Sequence, residues 1–229
     1  MQRNCVLLVV VSCSLALFGH KDSQGEPRNK HAHEAAEVGK IAVASVAAAC
    51  LYGIINDQIT ARICPEYFTK GFHRAMVQRM SEGWLKSTLS TTKSPTILGL
   101  VWGTIATWWM GAALSVPITL AARVPFGKTP KLTMKDLIKP TAYAFGCMGI
   151  TALAAGIIGY NKACTDPNFR NLFRHAANGV SEEALPSFIA DACAHRSGYA
   201  SGIVAGLALC GWIVHERYAR KKVQDFEDQ

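Results

Sequence analysis

The sequence predicts an all-α integral membrane protein, a bundle of four transmembrane helices with an interfacial amphipathic helix and a short helical outer cap. Three observations predict it. Residues 38–55, 96–120, 140–160 and 198–214 form long apolar stretches, each near the roughly 20 residues that carry a helix across about 30 Å of hydrocarbon. Small residues recur at every fourth position within them, which lets two helix backbones approach closely in lipid. Charged residues make up only 17% of the 229-residue chain and hydrophobic residues 50%, whereas soluble domains carry roughly 25% charge.

The chain divides into three parts. Residues 1–37 form a targeting-like segment followed by a disordered linker. Residues 38–217 form the four-span domain, and 218–229 a charged cytoplasmic tail. Near the start, Arg3 precedes an apolar run over 6–18, short for a span and shaped like a signal. Val10-Val11-Ser12-Cys13 resembles a bacterial lipobox, but the run before it is too brief. The first span, rich in Ala, sets Gly39, Val43 and Ala47 at helical spacing, which predicts burial among the other helices. The second carries Gly99, Gly103, Thr107, Gly111 and Ser115 on one face. Ser94-Pro95 gives it an N-cap and a proline at the first helical position, and Pro117 falls near its far end. Thr133 and Asp136 have capping-box spacing, so the third helix begins ahead of its span and meets Pro140 on the way in. Its small face is Cys147, Thr151, Ala155 and Gly159. The fourth span carries Gly198, Gly202, Gly206 and Cys210, with Trp212 and Tyr218 beyond at a depth where amphipathic rings collect.

Two longer connections hold most of the polar groups. In the first, Phe68, Phe72, Met76 and Met80 recur every four residues, Trp84 follows, and Lys70, Arg74, Arg79 and Lys86 take other faces. That pattern predicts a helix lying in the membrane surface. In the second, Asp166-Pro167 starts a helix, Asn178-Gly179 stops it, and Ser181 caps the next.

The net charge is +8. Its Lys and Arg residues flank spans, and no basic stripe interleaved with aromatics is present, so an anionic membrane surface and not nucleic acid is the expected partner. Basic density is highest at Arg123, Lys128, Lys131, Lys135 and Lys139, and in the tail at Arg217, Arg220, Lys221 and Lys222. The positive-inside rule places both in the cytoplasm, with both termini, and turns the long connections outward. A cleaved signal or an extra span at 1–20 would reverse that orientation; the loop densities outweigh it. Expected partners are the lipid bilayer and other membrane proteins or further copies of the chain.

The densest polar cluster follows the first span and includes Asn56, Asp57, Gln58, Thr60, Arg62, Cys64, Glu66 and Tyr67. An acid where a helix meets the interface needs water, a partner or a hydrogen bond. The simpler reading pairs Asp57 with Arg62, while Asn56 and Thr60 tie off helix carbonyls. The sharper one gathers Asp57, Gln58, Thr60, Arg62, Glu66, Asp191 and His195 into an outward-facing polar pocket. Asp191 and His195 stand four apart and share a helix face; with Asp57, Glu66 and His73 they could ligate a metal, which would require three or four ligands to converge. A local helix pair is the preferred reading, and no metal or other cofactor is expected.

Tyr52, Gly53, Ile54, Asn56, Asp57, Gln58 and Thr60, then Pro65, Glu66, Tyr67, Phe68 and Thr69, resemble a segment of an uncharacterised family of small multi-pass bacterial membrane proteins. The resemblance continues through Pro130, Lys131, Leu132, Thr133, Asp136 and Leu137 to His195 and Tyr199, covering most of 40–215. It implies topology and a bacterial inner membrane. It assigns no activity and no catalytic residue.

Cys5, Cys13, Cys50, Cys147 and Cys210 lie in apolar stretches and read as small packing residues. Cys64, Cys164 and Cys193 lie in polar connections. On an oxidising side, Cys164 and Cys193 could close a loop of about 30 residues worth roughly 3 kcal/mol. No C-x-x-C, phosphate loop, H-E-x-x-H or G-x-S-x-G occurs, which sets aside the common soluble enzyme classes. Spans almost free of ionisable groups favour a non-enzymatic envelope or assembly factor. A small transporter or channel is the second reading. A membrane enzyme using Asp57, Glu66, Asp191 and His195 is the third.

Overall fold

A computed structural model describes residues 28–227. The apolar segment at 1–20 lies outside the described residues. Within them the chain is all helix: α1 Arg28–Ile63, α2 Pro65–Thr69, α3 Gly71–Arg79, α4 Trp84–Thr91, α5 Pro95–Arg123, α6 Met134–Thr165, α7 Pro167–Asn171 and α8 Leu185–Glu227. Four of these, α1, α5, α6 and α8, are long and apolar enough to cross a membrane.

The four long helices run alternately up and down. α1 packs along the whole of α5, and α6 along the whole of α8; α5 joins the two hairpins by lying against α8, while α1 and α6 barely touch. The glycine face of α5 sets the first contact. A Cβ added at Gly99, Gly103 or Gly111 would stand 2.9, 2.6 or 2.7 Å from the backbone of α1, so only glycine permits this approach. At the second contact Gly159 of α6 receives Cys193 of α8, whose Sγ would lie 2.7 Å from an added Cβ.

Two expected faces and one expected linker are corrected. α1 presents Ser45, Ala49 and Gly53 to α5, and Val43, from the expected buried stripe, is 70% exposed. The facing glycines choose the side of α1, and alanine is equally at home against lipid. α6 buries Met148, Ala152, Gly159 and Ala163; Cys147 is exposed, and the Thr151 hydroxyl is satisfied by the Cys147 carbonyl on its own helix, 2.7 Å away. The disordered linker expected through Glu37 is helical from Arg28. Side chains hold it there: Glu34 pairs with Arg123 at 2.7 Å and Lys131 at 3.2 Å, and Glu37 accepts the Met134 N–H.

Local signals set several ends. Pro95 opens α5 after Ser94. The Asp136 carboxylate accepts the Thr133 N–H at 2.7 Å, as a capping box does. Asp166 takes the N–H groups of Asn168 and Phe169, and Ser181 takes that of Ala184. Pro117 and Pro140 sit inside continuous helices.

The amphipathic stretch expected over Phe68 to Met80 is divided between α2 and α3, with α4 following. Gly71, at φ +50°, breaks the period. This left-handed backbone suits glycine, and an added Cβ would run into the Ala176 carbonyl. The Gly71 N–H donates to the Asn178 carbonyl at 3.2 Å, stitching the two long connections into one cap over the bundle end. Phe68 and Val77 therefore turn inward, and Phe72 stays 65% exposed. Cys164 and Cys193 are free thiols, not a disulfide: Cys193 packs on Gly159, and Cys164 is exposed near the end of α6.

The apolar core gathers at the two ends. At the basic end Ile41, Ile118, Leu132, Leu137, Leu209 and Ile213 pack together. Under the cap, Ala61, Phe68, Leu89, Leu98 and Trp102 form one cluster and Cys64, Phe173, Phe188 and Ile189 another. Between the ends the bundle is open.

Candidate functional site

Asp57 occupies α1 less than two turns before its end and is 3% exposed. Close packing on the Gly99 turn of α5 removes it from water. Asn56 Nδ2 donates to Asp57 Oδ1 at 3.1 Å. His195 of α8 brings Nε2 to 3.7 Å from the same oxygen and to 3.3 Å from Thr60 Oγ1. The Thr60 hydroxyl donates its single proton to the Asn56 carbonyl at 3.1 Å, so toward His195 it can only accept. That assigns the proton to Nε2 and leaves Nδ1 as an acceptor. The unit is a carboxylate and an imidazole, held by two neighbours on α1, inside the bundle.

Aromatic rings close it off on the cap side. Tyr67 of α2 stacks on His195 with centroids 4.7 Å apart, and Phe68 meets the same imidazole edge-on at 5.8 Å. His73 of α3 lies 4.8 Å from Tyr67 and 4.7 Å from Trp102 of α5. Burial pushes the His73 imidazole down to about 4, partly opposed by its hydrogen bond to the Tyr67 backbone. Burial likewise raises the Tyr67 phenol and pushes the Cys64 thiol up to about 12. Cys64 is therefore a packing residue and not a nucleophile.

On the other side the pair faces a cavity of about 370 Å³ lined by all four long helices, with Asp57, His195, Asn56 and Tyr199 as its polar end and Ala48, Met110 and Leu114 among its apolar walls. Tyr52 of α1 stacks on Phe145 of α6 with centroids 5.6 Å apart, closing the α1–α6 gap beside it. The Tyr52 hydroxyl is buried without a hydrogen-bond partner.

The seven expected pocket residues separate. Asp57, Thr60 and His195 come together. Arg62 does not pair with Asp57: it bonds the Gln58 side chain at 2.6 Å and Thr96 Oγ1 at 3.1 Å. Gln58 donates to the Thr96 carbonyl. Both therefore clip α1 to the start of α5 from the exposed side. Glu66 accepts from the Cys64 thiol at 3.6 Å. Asp191 does not bond His195; it is 1% exposed and neither of its oxygens has a partner. No group of three or more His, Cys, Asp or Glu residues converges to hold a metal among the described residues. The ligand set Asp57, Glu66, His73, Asp191 and His195 is thus not assembled.

Tyr52, Trp102 and the stack on His195 went unread in the sequence. Tyr52 was signalled only by its place in the Tyr-Gly-Ile segment. Chemically, the site offers one hydrogen-bond donor, several acceptors and an exchangeable proton at the end of an apolar chamber. Comparison with known protein families, with curated proteins and with solved structures gave no match.

Proposed function

We propose that this chain is a multi-pass membrane protein of the carrier type, binding a small solute between its four helices with Asp57 and His195 as the polar anchor. The cavity carries this reading: it is lined by every long helix and ends on the buried carboxylate–imidazole pair. Ionisable groups inside membrane helices mark solute and proton paths. The expectation of an envelope or assembly factor rested on spans nearly free of such groups, but the long helices bring Asp57, Asp191 and His195 into the bundle interior. A volume near the lower end of ligand pockets suits a small solute, mostly apolar with one hydrogen-bonding end. Continuous helices favour bind-and-release over an open pore.

The basic 121–139 connection, the start of α1 and the end of α8 share one end of the bundle, which supports a cytoplasmic assignment for that end. We read the protein as one of a bacterial inner membrane with the cap facing outward, a reading that the resemblance of residues 52–69 to a bacterial membrane family supports.

Proteoliposome uptake of a panel of labelled small organic solutes tests the function. At least one solute should accumulate above empty vesicles, and Asp57→Asn or the cavity-filling Ala48→Phe should abolish it. Uptake equal to empty vesicles across the panel refutes the reading.

A further inference from the structure

A second cavity, of about 330 Å³, opens sideways between α1, α6 and α8 on the far side of Tyr52, and Asp191 lies in its wall. Its other walls include Ile55, Ile59, Leu153 and Ile157, each more than half exposed on the outer surface of the bundle, so the groove faces lipid. Asp191 is 1% exposed, both carboxylate oxygens lack a hydrogen-bond partner, and the described ion pairs leave it out. A carboxylate held in an apolar wall without a counter-charge is unfavourable. The chain itself does not satisfy it.

We propose that this groove is a binding site for a single-chain amphiphile bearing a primary ammonium head, seated on Asp191. Ionised, the Asp191 carboxylate accepts hydrogen bonds and donates none, so a partner that holds it in that form must donate, and an ammonium supplies donors together with the opposite charge. Asp191 stands level with Gly156 to Gly159 of α6, whose positions meet Ala190 and Ile189. The groove continues from there to Gly149, about 12 Å at the helical rise, room for one alkyl chain. A phospholipid with an amine beyond its phosphate fits badly. With its amine on Asp191, its phosphate would fall among Ile55 and Leu153. The amine must sit directly on the chain. Tyr52 and Asn56 line both this groove and the cavity that ends on Asp57 and His195, but the groove uses a different stretch of α6, Gly149 to Asn161, and does not depend on solute carriage.

Native mass spectrometry of the full chain in phosphatidylcholine nanodiscs, titrated with dodecylamine, tests the site. A saturable one-to-one adduct is expected. Dodecyltrimethylammonium, with the charge but no N–H, and dodecanol, with a donor but no charge, should each bind about tenfold more weakly or worse. Asp191→Asn should lose about tenfold or more. Gly156→Leu should abolish the adduct by filling the groove; its Cβ starts at ordinary contact distances, 3.4 and 3.5 Å, from Ala190 and Ala194. Should Asp191→Asn fail to fold, Gly156→Leu and the head-group series decide. Non-saturable uptake, equal binding of either comparison amphiphile, or wild-type affinity in the folded variants overturns the proposal.

Discussion

Tyr67 lies flat on His195, ring planes 12° apart, although the two are carried by different helices at opposite ends of the sequence. The contact makes the cap a lid on the buried pair. Tyr67→Ala should cost about 3 kcal/mol, in line with large aromatic truncations, and expose the imidazole to water. Tyr67→Phe keeps the stack and should stay within about 0.5 kcal/mol of wild type. Thermal unfolding in detergent distinguishes the two.

The α1–α5 contact predicts a sharp contrast between glycines. A Cβ at Gly103 would lie 2.6 Å from the α1 backbone, whereas one at Gly146 meets nothing within 4 Å. Gly103→Ala should therefore destabilise by at least about 2 kcal/mol through overpacking. Gly146→Ala should be neutral or slightly stabilising, as a helical Gly→Ala change generally is. Titration with denaturing detergent, followed by circular dichroism, measures both.

His73 sets a pH dependence. Its folded value is about 4, depressed from 6.5 by burial. Between these values the unfolded chain binds the proton and the folded one does not, so stability rises with pH. The contribution is complete above about pH 6.5 and is lost as pH falls toward 4, on the order of 3 kcal/mol in all. His73→Phe should flatten that part of the stability profile. An equally steep slope in the variant would assign the dependence to another group.

Arg217 fastens the basic end. It is 1% exposed, donates to the Pro130 carbonyl at 2.8 Å and the Ala121 carbonyl at 2.6 Å, and lies over the Phe126 ring at 4.8 Å. Arg217→Leu should cost about 2 to 4 kcal/mol by leaving both carbonyls unmet. Arg217→Lys keeps the charge but not the planar fork and should fall between the two. Limited proteolysis across 124–133 should accelerate in the same order.

The membrane bundle was legible because it depends on local quantities: span length, the glycine period on α5 and α8, and terminal signals at Pro95, Asp136, Asp166 and Ser181. The site was half legible. Asp57, Thr60 and His195 were named, but the simpler reading gave Asp57 to Arg62, five residues away, when its partner comes from α8. Sequence spacing ranks near neighbours and carries no information on which distant helix supplies the next side chain. The amphipathic repeat from Phe68 to Met80 misled for a related reason. Its four-residue period is real, but one left-handed glycine, fixed by a carbonyl more than a hundred residues on, interrupts the helix. The faces of α1 and α6 were misread because alanine and small polar residues suit either lipid or a helix partner.

The division into two hairpins bears on how the protein is made. α1 finds its main partner in the very next span, α5, and α6 finds its own in α8. Half of the bundle can thus be completed in the bilayer while the ribosome is still translating the remainder, and the later half then docks through the α5–α8 seam and the contacts of Tyr52, Asp57 and Tyr67. Each hairpin thereby carries its tightest face closed before the two halves meet.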